Sequence, residues 1–168
     1  MGHLKRFADR GREDELRALL QERLLVLDGA MGTALQDRAL TAVDFGGVAL
    51  EGCNENLVLT RPDVIADIHG GYFAAGADIV ETNTFGAIKH VIAEYGLQDK
   101  ALEINRQAAR LAVGAARKFS THGRPRFDAS ALGPGTKTIS VTGGITFDEV
   151  LANYDQAAQG LLEGGVDL

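Results

Sequence analysis

The feature that most narrows the fold of this chain is an alternation, in which short apolar runs with polar ends are separated by amphipathic helical stretches. Leu24-Leu25-Val26-Leu27 is continuously apolar and stops at Asp28-Gly29, the pattern of a parallel strand buried on both faces. Residues 77–84 are apolar in their middle and polar at their end, and residues 126–132 form a third run that closes on Gly133-Pro134-Gly135. Helices are predicted between them. Thr60-Arg61-Pro62-Asp63 offers a capping hydroxyl on Thr60, a proline for the first turn and an acid. Val64, Ile65, Ile68, Tyr72 and Phe73 then supply a buried face, and Gly76 a left-handed cap. Further helices are predicted over residues 14–23, 87–95 and 100–118, and a last one after the capping box Thr146-Phe147-Asp148-Glu149. Residues 32–56 read as a long surface loop with Cys53 an incidental thiol in it, and residues 136–145 as a second loop. Strand, helix and strand in turn predict an α/β fold with a parallel sheet, and such folds place their sites at the carboxyl ends of strands.

A repeat sharpens this expectation. Ala75-Gly76-Ala77-Asp78-Ile79 and Gly164-Gly165-Val166-Asp167-Leu168 both follow an amphipathic helix, 89 residues apart. The first copy continues as a strand and the second stops, so the C-terminus is expected to be an artificial or domain-boundary cut at the start of a fourth strand. With 168 residues, 45% of them hydrophobic, the chain can bury the core of one globular domain, which argues against disorder. No apolar run reaches the roughly 20 residues of a membrane span, and Met1-Gly2-His3-Leu4-Lys5-Arg6 lacks the apolar segment of a secretory signal. A cytoplasmic location without a membrane partner is expected. The net charge of -6 repels phosphate backbones and disfavours nucleic acid. With Cys53 alone, neither an internal disulfide nor a three-thiolate metal site can be built from this chain.

Asp28-Gly29-Ala30-Met31-Gly32-Thr33 is a glycine-bracketed turn leaving a strand. Its backbone N–H groups can converge on an anion while Asp28 accepts from an ammonium, which suits the two charged ends of an amino acid. The same residues also serve as a tight turn with glycine there only for geometry. A phosphate loop is disfavoured, because no lysine follows the second glycine and the spacing is short. In Glu81-Thr82-Asn83-Thr84, strand alternation puts Glu81 and Asn83 on one side and Thr82 and Thr84 on the other. Glu81 either binds a polar ligand or satisfies backbone amides at the strand end. His3, His69, His90 and His122 are scattered, and packing or surface roles are expected of them rather than metal ligation. No Gly-x-Ser-x-Gly elbow is present, and no base is identifiable for Cys53.

The turn at Asp28–Thr33, the run Asn56-Leu57-Val58-Leu59-Thr60-Arg61-Pro62-Asp63-Val64-Ile65 and the run Gly76-Ala77-Asp78-Ile79-Val80-Glu81-Thr82-Asn83-Thr84-Phe85 resemble the homocysteine S-methyltransferase family in order and spacing, over about residues 24–168. Leu132-Gly133-Pro134-Gly135-Thr136-Lys137 and Thr138-Ile139-Ser140-Val141 are similar in particular to the N-terminal module of cobalamin-dependent methionine synthases. The resemblance implies a (β/α)8 TIM barrel, of which this chain would hold the N-terminal portion, about half, truncated at the start of the fourth strand. Residues 1–23 would be a helical extension and residues 24–168 the first half of a homocysteine-binding barrel. In the family, a zinc ion held by three cysteine thiolates from the second half of the barrel activates the homocysteine thiol, which takes the methyl group of methylcobalamin to give methionine. This chain would contribute the grip on homocysteine, with the amides of Gly29, Ala30 and Met31 near the carboxylate and Asp28, Glu81 and Asn83 around the ammonium.

The resemblance thus assigns no catalytic and no metal-ligating residue to this chain, which alone is expected to be inactive and to hold neither zinc nor methylcobalamin. Its implied partners are homocysteine, the rest of the barrel, and the cobalamin and folate modules of the parent chain. Two departures stand out. The zinc-binding cysteines have no counterpart, and Asp128 and Ser130 lie in the third strand where the family has aliphatic and glycine residues. A carboxylate buried there requires a partner or solvent. A cobalamin-independent methyltransferase using betaine or S-methylmethionine, and a non-catalytic amino-acid-binding or assembly half-barrel, are the alternatives.

Overall fold

In the computed structural model, which describes residues 10–139 and 144–168, helix and strand segments assemble as an α/β unit. The chain enters through α1 (Arg10–Glu22) and reaches the segment 24–28. Only Leu27 of that segment bridges β1 (Ile79–Glu81), in parallel, and Leu24, Val26 and Leu27 are 91%, 57% and 46% exposed. The expected strand buried on both faces is therefore corrected to a short edge segment. Its apolar composition matches a covered strand, yet among the described residues its one strand neighbour, β1, lies on one side.

Residues 32–56 are likewise not a surface loop. They wind into α2 (Met31–Gln36), α3 (Ala42–Phe45) and single 3-10 turns at Val48–Leu50 and Asn54–Asn56. Leu35, Phe45 and Cys53 are buried there, so the segment contributes core. Elements this short carry too few turns for a helical period to register in sequence. The next turn, α4 (Leu57–Thr60), ends at the residue expected to cap its successor, Thr60, whose Oγ1 donates to the Asn56 carbonyl at 3.3 Å. Arg61, outside helical geometry at φ -136° and ψ 58°, instead precedes α5 (Pro62–Ala75), which starts at the proline because a fixed φ and a missing N–H cost nothing there. Val64, Ile65, Ile68, His69 and Phe73 are its buried face, and Gly76 closes it at φ 115°.

The helix expected over residues 87–95 is reduced to α6 (Lys89–Ile92) and a 3-10 turn at Ala93–Tyr95. The amphipathic α7 (Ala101–Phe119) leads to β2 (Phe127–Ala129). β1 and β2 are three residues each, shorter than the runs predicted for them, and pair in parallel with Ile79 opposite Phe127 and Glu81 opposite Ala129. Ser130 N donates to the Leu168 carbonyl at 2.8 Å, so segments 26–28, β1, β2 and Leu168 lie side by side in chain order. Val80 is buried with Phe73 of α5 and Ala112, Ala115 and Ala116 of α7. A separate pair, β3 (Thr138–Ile139) and β4 (Gly144–Ile145), is also parallel. It stands in the expected loop 136–145, of which residues 140–143 lie outside the described residues, as do Met1–Arg6 and His3. Finally α8 (Phe147–Gly164) opens on the expected capping box, with Glu149 N donating to Thr146 Oγ1 at 3.2 Å. Among the described residues, no helix is long and apolar enough to cross a membrane.

The sequence repeat has a structural meaning. Asp78 is buried and takes Arg23 in a two-pronged pair at 2.8 and 3.0 Å, with Val26 N donating at 3.0 Å. Asp167 takes Arg12 of α1 in the same way, at 3.0 and 2.7 Å. Each repeat aspartate thus anchors the N-terminal segment just beyond the end of a long helix, using the fork geometry that makes arginine–carboxylate pairs strong. Asp128, the unexpected acid in β2, has its partner in the second copy, because its Oδ1 accepts Asp167 N at 3.2 Å. Burial first, and then the Asp167 charge, raise its carboxyl above the usual carboxylate range.

Candidate functional site

Parallel pairing brings the polar ends of the first two strand segments together. Asp28 N donates to the Ile79 carbonyl at 2.9 Å, and the Asp28 carboxylate turns forward to accept Glu81 N at 2.9 Å. It is Asp28, not Glu81, that satisfies a backbone amide. Burial pushes the Asp28 carboxyl up to about 6, the Glu81 charge adding to the rise and the Glu81 amide opposing it. The chain then bends at Ala30, which lies in the left-handed region at φ 37° and ψ 42°. For a residue with a Cβ this costs about 1–2 kcal/mol. The first amides of α2 have no intrahelical acceptor, as at every helix start.

The six residues singled out in the sequence, Asp28, Gly29, Ala30, Met31, Glu81 and Asn83, line one cavity of about 310 Å³. Asn83 is buried and donates through Nδ2 to the Asn54 carbonyl at 2.8 Å. On the other side of the strand end, the Thr82 and Thr84 hydroxyls bond each other at 2.6 Å, Thr84 Oγ1 donates to the Ala131 carbonyl at 2.7 Å, and Ala131 N donates to Thr82 Oγ1 at 3.0 Å. This closed set ties the ends of β1 and β2 into a single rim. Asp28, Glu55 and Glu81 line the cavity and, among the described residues, no basic side chain does, so its field favours an ammonium group.

Sequence reasoning missed Glu55 and Asn54 in that lining, because they lie in the stretch read as loop. The one local signal was a run of polar residues, Asn54-Glu55-Asn56, directly before a buried apolar pair. A larger hollow of about 560 Å³ is bordered by Arg12, Asp128 and Asp167, but there Arg12 pairs with Asp167 and the Asp128 carboxyl accepts the Asp167 amide.

Among the described residues, the histidines are not gathered. His69 is buried without a partner for either ring nitrogen among the described residues, and burial pushes it down to about 4, so it is neutral. His90 meets Asn153 at 3.0 Å. Cys53 is buried, which raises its thiol to about 11 and makes it a poor thiolate ligand. Among the described residues, no three His, Cys, Asp or Glu side chains are placed to hold a metal ion. These residues do not fit the three-thiolate zinc centre that the sequence resemblance implies.

Comparison with known proteins places the chain in a family. The family model for homocysteine S-methyltransferases matches residues 25–168. The chain is 43% identical over 155 residues to a methionine synthase of Mycobacterium leprae and 41% identical to one of Mycobacterium tuberculosis. Those matches take in 92% of this chain and 13% of each relative. Crystal structures of the homocysteine methyltransferase MmuM from Escherichia coli superpose with a TM-score of 0.72, in the metallated form at 23% identity and in the oxidised form at 24%. They cover 91% of this chain and 55% and 54% of those chains, a likeness of fold. With the family model matched from the first strand segment to Leu168, the chain belongs to the homocysteine S-methyltransferase family.

Proposed function

We propose that this chain is the homocysteine-gripping part of a methionine synthase, and that it forms the first half of a (β/α)8 barrel. Residues 1–23 are then an extension that pins the starts of strands, and residues 24–168 carry the barrel elements. The observation that carries the reading is the convergence of Asp28, Glu81, Asn83 and the Gly29–Met31 turn on one acidic cavity. Asp28 and Glu81 receive the ammonium, the turn amides of Gly29, Ala30 and Met31 receive the carboxylate, and Asn83 braces the cavity wall through Asn54. The greater identity to proteins named methionine synthase supports methylcobalamin as donor over betaine or S-methylmethionine. Zinc and methylcobalamin belong, on this reading, to other parts of the parent protein, as do the folate module and the rest of the barrel. The parent is an enzyme of the cytoplasm, and this chain alone transfers no methyl group.

Calorimetric titration tests the reading. L-homocysteine should bind, and 4-mercaptobutanoate, which lacks the amine, should bind at least about tenfold more weakly, the worth of one charge-assisted hydrogen bond. Equal affinity for the two would reject the assignment of Asp28 and Glu81 to the ammonium.

A further inference from the structure

The wall of the candidate cavity that includes Phe85 is not part of any strand or helix, yet it is held at two points. Gly133 N donates to the Phe85 carbonyl at 3.0 Å, and Gly86 N donates to Glu55 Oε1 at 2.9 Å. The second bond crosses 31 residues of sequence to a turn that is itself immobilised. Cys53 and Asn56, on either side of Asn54-Glu55, are buried, and Asn56 Nδ2 donates to the Phe45 carbonyl at 2.8 Å. Asn83 Nδ2 adds the parallel tie to Asn54. A Cβ at position 86 would come 2.5 Å from Glu55 Oε1, so a side chain there would displace the Glu55 carboxylate from this bond. Glu55 therefore reaches from a fixed platform to the backbone of the turn that carries Phe85, and both residues line the cavity.

We propose that Glu55 is a positioning residue of the candidate site, which holds the Phe85–Gly86 turn so that the cavity keeps the shape its ligand needs. The inference rests on the reading of that cavity as an amino-acid site. It differs from a direct charge contact with the ligand in a checkable way. Glu55→Gln keeps a carbonyl oxygen for Gly86 N and loses only the charge, whereas Glu55→Ala loses the tie altogether.

Hydrogen exchange of the Gly86 amide, calorimetry with L-homocysteine and thermal melting are measured on the chain and both variants. E55A should exchange Gly86 about tenfold faster and bind homocysteine about tenfold more weakly, with E55Q restoring both to within about threefold. An unchanged Gly86 exchange in E55A overturns the proposal. So does an E55Q variant that protects Gly86 but binds as weakly as E55A, because the carboxylate then acts on the ligand by its charge. If the unaltered chain takes no homocysteine, the site reading fails separately. Gly86 exchange then still decides the tie, which stands if E55A loosens it and E55Q does not and falls otherwise. Should E55A fail to melt cooperatively, Gly86→Ala, which crowds the same bond from the other side, takes its place with the same expected exchange and binding.

Discussion

At the scale of single residues, Asp28 carries the most testable chemistry. Its carboxyl sits at about 6 in the folded chain because burial and the Glu81 charge penalise ionisation. An ammonium ligand prefers the ionised form, so binding must expel the proton. Homocysteine affinity is expected to rise with pH, up to about tenfold per unit below pH 6, and to level off above it. Asp28→Asn keeps an acceptor for Glu81 N and removes the titration, so its affinity should be weak and flat from pH 5 to 8. Calorimetry across that range checks both, and a slope that persists in D28N would assign the titration elsewhere. For stability the sign is opposite: a carboxyl raised above its unfolded value favours the folded state below pH 4, and that benefit fades as pH climbs through 6. Asp28, Glu81 and the Gly29–Met31 turn were legible in sequence because each lies at the polar end of an apolar run. Glu55 was not, since its partner Gly86 is 31 residues away and no local pattern links them.

At the scale of elements, the joint between α7 and α8 depends on two glycines. A Cβ on Gly160 would come 2.7 Å from the Leu102 carbonyl and 2.8 Å from Asn105 Cβ, and one on Gly164 would come 2.7 Å from the Arg106 carbonyl. Gly160→Ala and Gly164→Ala are each expected to cost about 1–3 kcal/mol by overpacking. Gly114, on the same α7, meets nothing within 4 Å, so Gly114→Ala should stabilise by about 0.5–1 kcal/mol through helix propensity. Denaturant melts that rank all three equally would contradict this packing. Asp78 is the second joint. Arg23 first, with the Val26 amide, holds its carboxyl below the usual range, so its contribution is present above about pH 4 and lost as pH falls through the depressed value. Asp78→Asn should destabilise by about 3–5 kcal/mol, because it strands Arg126 in the interior. Equilibrium melts at pH 7 check this, and a loss within 0.5 kcal/mol, an ordinary surface value, would reject the joint. Helices with a full apolar stripe, such as α5, α7 and α8, were readable in advance. Segments 24–28 and 32–56 were misjudged, because exposure of an edge strand and folding of four-residue helices depend on neighbours distant in sequence.

At the scale of the whole molecule, segment 26–28, β1, β2 and Leu168 lie side by side, and among the described residues the flank at Leu24, Val26 and Leu27 is open. Apolar side chains beside unpaired strand backbone promote association. Sedimentation of the chain should therefore show self-association, which Leu24→Lys combined with Val26→Lys reduces; a monodisperse unaltered monomer would contradict the half-barrel proposal. The α/β class was legible from the alternation of runs and helices, and the sequence repeat marked two aspartates, Asp78 and Asp167, that each pair with an arginine. What no sequence pattern announced is that both pins come from the N-terminal segment, through Arg23 and Arg12. The central claim, that the strand-end cavity grips an amino acid, is most directly tested by amide resonances of the isotopically labelled chain during titration with L-homocysteine. Shifts concentrated at Gly29, Ala30, Met31, Glu81 and Asn83 are predicted; saturable shifts confined to other residues, or none at all, would contradict it.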